Sequence, residues 1–225
     1  AVSVEPASIE VVAGKTEPFS LSVEDAEGNA VTDFTPVWSI SDNLGTVDED
    51  NVFHARKAGT GSLEVTVGEA RTSVEATVVP GPVATVQLDP AKATLPAGES
   101  LTLEAQPYDA EGNPLDMDVS FSVSGGIGDI DAEGVFAARS VGQGNLVARA
   151  DSVAAVSSVT VVPGPIDSIE VEPSDGTVVA GETLTLAATA HDAFGNRVPR
   201  DLFQWQLGEG DSAPRVEAEE VEFLD

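Results

Sequence analysis

The chain has 225 residues, no cysteine, and 39 Asp and Glu against 10 Lys and Arg, for a formal charge of -29. Without thiols it has no disulfide, thiolate metal site or cysteine nucleophile, and its sign argues against nucleic acid and anionic membranes as partners. No run of 18 apolar residues is present, so no membrane-spanning helix is predicted, and 41% hydrophobic residues in regular alternation contradict disorder.

In chain order, Val2 and Val4 lead to Pro6 and then to Ala13-Gly14. Phe19, Leu21 and Val23 alternate with Ser20 and Ser22, the two-residue period of a half-buried strand. Asp25-Ala-Glu-Gly-Asn29 has turn chemistry, with an Asx side chain first and Gly28 where a positive φ is required. Trp38 follows, then the alternating runs Leu63, Val65, Val67 and Ala76, Val78.

At Val78 to Pro90 the chain reads VVPGPVATVQLDP, and 83 residues later Val161 to Pro173 reads VVPGPIDSIEVEP. A fixed period implies a repeated module. Pro6, Pro90 and Pro173 match, as do Ala13-Gly14, Ala97-Gly98 and Ala180-Gly181, and the turns starting at Asp25, Asp109 and Asp192. The strand runs match too: Leu101, Leu103, Ala105 and Leu184, Leu186, Ala188, then Leu146, Ala148, Ala150 and Val159, Val161. Gly28, Gly112 and Gly195 are expected in the left-handed region, and Trp38, Phe121 and Trp205 at equivalent core positions. The predicted fold is all-β, a tandem array of small β-sandwiches with boundaries at 1–80, 81–164 and 165–225. Modules of about 80 residues bury only about 60% of their unfolded surface, so each core is small. Pro80 and Pro82, like Pro163 and Pro165, remove N-H donors and keep successive modules from pairing into one sheet. Short, repeated joints lead to the expectation of a stiff rod.

The second unit runs Gly128-Asp-Ile-Asp131-Ala-Glu-Gly134-Val-Phe136-Ala-Ala138 and then Gly142-Gln-Gly144; the first has Gly45-Thr-Val-Asp48, Val52-Phe53-His-Ala55 and Gly59-Thr-Gly61, with Asn51 where the second has Gly134. This resembles the bacterial immunoglobulin-like repeats of group 2, the invasin and intimin type. The resemblance implies Ig-like sandwiches for nearly the whole chain. It implies no single function, since such repeats occur in adhesins, surface-layer proteins, secreted enzymes and phage structural proteins. After Trp205 the third unit loses the pattern and is read as C-terminally incomplete. It is completed either by residues beyond 225 or by a strand from a neighbouring molecule. Ala1 opens without a signal peptide, which suggests a mature or excised piece of a longer exported protein.

No residue is assigned a catalytic, cofactor-binding or metal-binding role. His54 and His191 fall in different units without zinc spacing, and His54 reads as a surface strand residue. Asp48-Glu49-Asp50, Asp129 and Asp131 are clustered loop carboxylates of the kind calcium takes, but they match no EF-hand loop. The leading expectation is a non-catalytic structural or adhesive segment of an extracellular, cell-surface protein: a stalk, surface-layer or filament component. Its partners would be other copies of itself, a surface protein or a glycan. The alternatives are accessory modules, possibly carbohydrate-binding, of a secreted hydrolase, or a viral decoration.

So acidic a folded chain repels itself unless counterions screen it, over about 8 Å at physiological ionic strength. A saline or cation-rich setting, a halophilic source and non-specific cation association are therefore expected. Melting temperature should rise between very low and molar salt, and a flat response removes this expectation.

Overall fold

The structure is a computed structural model, and it describes residues 1–174, 176–177, 179 and 181–199. The readings made for Ala180 and Trp205, and for the incompleteness of the third unit, lie outside these residues. The described residues are all-β with one short 3-10 turn at Ser41–Asn43.

In chain order the strands are β1 (Val2–Glu5), β2 (Ser8–Val12), β3 (Thr16–Pro18), β4 (Ser20–Val23), β5 (Val37–Ile40), β6 (Gly45–Val47), β7 (Val52–Ala55), β8 (Gly59–Val67), β9 (Ala70–Val79) and β10 (Val83–Asp89). They continue with β11 (Lys92–Pro96), β12 (Ser100–Thr102), β13 (Glu104–Asp109), β14 (Ser120–Ser124), β15 (Gly128–Ile130), β16 (Val135–Ala138), β17 (Gly142–Ala150) and β18 (Val153–Val162). The last are β19 (Ile166–Glu172), β20 (Ala187–Asp192) and β21 (Arg197–Val198).

Two compact units result. The first comprises Ala1–Leu88, Ala105–Ser120 and Ala148–Ala155; the second comprises Asp89–Glu104, Phe121–Val147 and the described residues from Val156 onward. In the first, a four-stranded sheet β2-β9-β8-β5, a three-stranded sheet β3-β7-β6 and the pair β1-β4 are joined by the pair β10-β13. β2 runs parallel to β9 with Ser8 opposite Glu75, while β5, β8 and β9 are mutually antiparallel. The second unit holds β11-β18-β17-β14, β12-β16-β15 and β19-β20-β21, and β11 again runs parallel to its partner β18. Sheets of alternating burial closing on an apolar interior define tandem Ig-like β-sandwiches.

Sequence alternation explains which faces meet. In the first unit Ile9, Val11, Leu63, Val65, Val74, Ala76 and Val78 are buried along one sheet, and Phe53 and Ala55 along the other. In the second, Leu95, Leu103, Ile127, Phe136, Leu146, Val159 and Val161 take this role. The apparent single strand through Phe19 is two strands, because β3 pairs with β7 whereas β4 pairs with β1. Phe19 lies at the crossing, and its N-H donates to the Asn51 carbonyl at 2.9 Å. Leu103, between β12 and β13, repeats the device by donating to the Gly134 carbonyl at 3.0 Å. Among the described residues no strand covers Leu184 and Leu186: pairing begins at Ala187, and Leu184 is exposed.

The expected core rings need correction. Trp38 and Phe121 are half-buried, and the fully enclosed rings are Phe53 and Phe136. Trp38 stacks on Phe19 with centroids 5.1 Å apart. Its indole N-H needs a polar partner, which keeps it at the margin of the sandwich. Asn51 Oδ1 accepts that N-H at 3.0 Å. Phe121 has no such donor, and its equivalent neighbour is Gly134, where a Cβ would stand 3.0 Å from the Phe121 ring and 2.9 Å from the Leu103 carbonyl.

The turn after β5 carries backbone strain. Asp42 and Asn43 adopt φ 57° and 54°, where the second repeat has Gly125 and Gly126 at 91° and 65°. An L-residue there is disfavoured, although Asp and Asn tolerate the region best. Asp42→Gly is expected to raise stability by about 0.5 kcal/mol, the relieved strain exceeding the added chain entropy. Paired urea melts check this, and a loss of stability counts against it.

Candidate functional site: the Asp-Asn clamp at the Pro-Gly joints

The Asp-Ala-Glu-Gly-Asn turn was read from sequence as a corner between strands, and it is more than that. Gly28, Gly112 and Gly195 do adopt φ 86°, 85° and 79°. In the first unit, Asp109 Oδ1 accepts the N-H groups of Glu111 and Asn113 at 2.9 and 2.8 Å, and Oδ2 accepts Asn113 Nδ2 at 2.9 Å. The same Oδ2 also accepts the N-H of Gly81, between Pro80 and Pro82, at 2.8 Å. Asn113 completes the contact: Nδ2 donates to the Arg56 carbonyl at 2.7 Å, and Oδ1 accepts the Ala58 N-H at 2.7 Å. Asp109 and Asn113 are 3% and 5% exposed, so the bonds are shielded from water.

The second unit builds the same clamp again. Gly164 N-H donates to Asp192 Oδ2 at 2.9 Å, Asn196 Nδ2 donates to the Arg139 carbonyl at 2.7 Å, and Val141 N-H donates to Asn196 Oδ1 at 2.9 Å. The glycine between the prolines is needed for space as well as for its amide. A Cβ on Gly164 would meet the Ala97 carbonyl at 2.5 Å, and one on Gly81 the Ala13 carbonyl at 3.3 Å. The Ala-Gly pairs therefore seat the joints: Ala13 N-H donates to Val79 O and Ala97 N-H to Val162 O, both at 2.8 Å.

Burial pushes the carboxyls of Asp109 and Asp192 up, but the hydrogen bonds from the Asn side chain and the surrounding amides outweigh it. Both lie below the ordinary carboxylate value. Each stays ionised at neutral pH, and a buried carboxylate held by N-H donors alone suits a chain with few cations to offer.

Gly112→Ala isolates the conformational part of the turn, because nothing lies within 4 Å of the added Cβ. A loss of about 1 kcal/mol is expected from the positive φ alone. Calorimetry on the variant checks this, and an unchanged melting temperature rejects it.

The repeated G-x-[IV]-D segments are structural. Asp48 Oδ1 accepts Asp50 and Val52 N-H at 3.0 and 2.9 Å; Asp131 Oδ1 accepts Glu133 and Val135 N-H at 3.1 and 2.8 Å. These side chains are committed to turns that hold Asn51 and Gly134 at φ 60° and 82°. His54 lies on β7 opposite Thr16 and Thr46, with Nε2 2.8 Å from Asp48 Oδ2. Hydrogen bonds from His54 and then Val52 hold the Asp48 carboxyl below its ordinary value. His191 lies on β20 opposite Ser168 and Arg197, and Asp129 reaches Arg139 at 3.3 Å. Among the described residues no three His, Asp or Glu side chains converge in a metal-binding group. The grooves are shallow; one is lined by Ser8, Glu10, Ser41, Thr60 and Thr77.

The fold and joints together define a chain of tandem Ig-like β-sandwiches. No protein-family model and no curated protein matches the sequence. Among solved structures it is similar to invasin, described as a bacterial integrin-binding protein, at 20% identity over 88% of this chain and 47% of that one, with a TM-score of 0.41. It is also similar to the Yersinia pseudotuberculosis adhesin InvE, at 20% identity over 72% of this chain and 58% of that one, TM-score 0.35. Domains 4 and 5 of the S-layer protein SbsC are similar at 14% identity over 72% of this chain and 96% of theirs, TM-score 0.36. The chain spans about half the length of the invasin structure. The Ig-like assignment itself rests on the strand pairing described above.

Proposed function

We propose that this chain is a non-catalytic structural or adhesive segment of an extracellular, cell-surface protein, a stalk, surface-layer or filament component built from group 2 bacterial Ig-like repeats at 1–80, 81–164 and 165–225. The observation that carries this reading is the clamp, built twice with the same three bonds from a buried Asp and its Asn partner. Hydrogen-bonding resources are concentrated at the connections, which suits a protein whose work is spacing or assembly. Its partners on this reading are other copies of itself, a surface protein or a glycan, with cations gathering loosely over the acidic surface. No helix among the described residues is long and apolar enough to cross a membrane.

Antibodies raised against the chain test the reading on intact cells of the source organism. Labelling without permeabilisation is expected. Signal that appears only after lysis overturns it, and turnover of a polysaccharide or peptide by the purified full-length protein that is lost on removing this segment overturns the non-catalytic part.

A further inference from the structure

The first repeat carries the same turn, Asp25-Ala-Glu-Gly-Asn29, identical residue for residue to Asp109-Ala-Glu-Gly-Asn113. Its internal geometry is already that of the engaged turns. Asp25 Oδ1 accepts Glu27 and Asn29 N-H at 3.0 and 2.8 Å, Asn29 Nδ2 donates to Asp25 Oδ2 at 3.0 Å, and Asp25 N-H donates to the Asn29 carbonyl at 2.9 Å. Gly28 and Gly112 share φ to within a degree, 86° and 85°. The difference is in what surrounds them. Asp109 and Asn113 are buried beneath a joint, whereas Asp25 and Asn29 are exposed and, among the described residues, bond only within their own turn.

We propose that the Asp25–Asn29 turn is a docking site for the joint end of another repeat of the same kind, carried ahead of Val2 on the same polypeptide. The occupant supplies what Gly81, Arg56 and Ala58 supply to the second repeat: a Pro-Gly amide to Asp25 Oδ2, a loop carbonyl to Asn29 Nδ2 and a loop amide to Asn29 Oδ1. Supply on the same polypeptide follows from register. Val2 pairs with Val23, so a chain entering β1 passes beside the turn that follows β4, as the chain entering β10 passes beside the turn after β13. The turn is formed before its partner arrives, so docking needs no reordering of Asp25 or Asn29. Backbone donors also solve the charge problem, because an acidic repeat meets an acidic turn through amides rather than through side chains. This goes beyond the surface-protein reading and does not depend on where the protein works.

The test is the full chain extended at its N-terminus by a second copy of residues 1–84, which recreates the Val-Pro-Gly-Pro-Val-Ala entry ahead of Ala1. The Asn29 side-chain amide hydrogens should exchange at least about tenfold more slowly in the extended protein than in the original, approaching Asn113 in the same molecule. An unchanged Asn29 rate beside a protected Asn113 overturns the proposal. Asn29→Ala gives a second arm: the melting temperature should fall clearly further in the extended chain than in the original, where only the bond to Asp25 is lost. Equal effects in both overturn the proposal, and slowing in the original chain that grows with protein concentration assigns the occupant to a second copy and overturns the same-polypeptide assignment.

Discussion

Phe136→Ala should destabilise the second unit by about 3–5 kcal/mol, the usual cost of removing a fully enclosed aromatic ring from a core that cannot collapse around the void. Phe136 is 0% exposed and sits on β16, the middle strand of β12-β16-β15. The neighbouring strand is shaped around it. A Cβ on Gly128 would fall on the Ala137 carbonyl oxygen and stand 2.9 Å from the Phe136 ring, so glycine is required for the ring to lie against the backbone. The first repeat repeats the arrangement with Gly45, the His54 carbonyl and the Phe53 ring at 2.8 Å. For small domains with about 5–15 kcal/mol in total, a loss of this size is a large share of the whole. Urea denaturation provides the measurement. The control is Phe121→Ala, which removes a half-buried ring and should cost clearly less; the reverse order would show that the cores are centred elsewhere.

Asp109→Ala should cost about 3 kcal/mol and abolish part of the protein's acid sensitivity. Truncation leaves the buried Gly81 and Asn113 backbone amides without their acceptor and costs Asn113 Nδ2 one of its two, and hydrogen bonds to a charged partner are worth about 1.5–3 kcal/mol each before water re-enters. The folded carboxyl lies below its ordinary value near 3.8, so the unfolded state takes up protons first as the pH drops. The clamp's contribution is therefore complete above the unfolded pKa and is lost as pH falls through the folded one. Melts from pH 7 to pH 3 should show the parent losing stability over the acid limb. Part of that loss should be missing in Asp109→Ala and more in the double variant with Asp192→Ala. Parallel curves for parent and variants would separate Asp109 from the acid response.

The period, the strand alternation and the positive-φ glycines were legible in the sequence because each depends on local chemistry that recurs in equivalent residues. Gly28 and the Leu63-Val65 run each say what they do within a few positions of themselves. The choice of core ring was not legible. Trp38 is larger than Phe53, and size alone favours the wrong residue; the deciding facts are an indole N-H that must find Asn51 and a glycine one strand away that admits Phe53. The clamp was hidden for a related reason. Asp and Asn suit a turn whether or not a second partner exists, and Gly81 and Asp109 are 28 residues apart in a contact that only the fold creates. One signal did point to it: the final Asn of the turn recurs in all three repeats.

The coupling of Trp38 to Asn51, against Phe121 to Gly134, constrains how the gene can change. Tandem repeats recombine readily, yet a crossover between these two positions would join an indole to a glycine that cannot accept its proton, or a benzyl ring to an asparagine whose Cβ crowds it. A functional exchange must therefore carry Trp38 together with Asn51, or Phe121 together with Gly134.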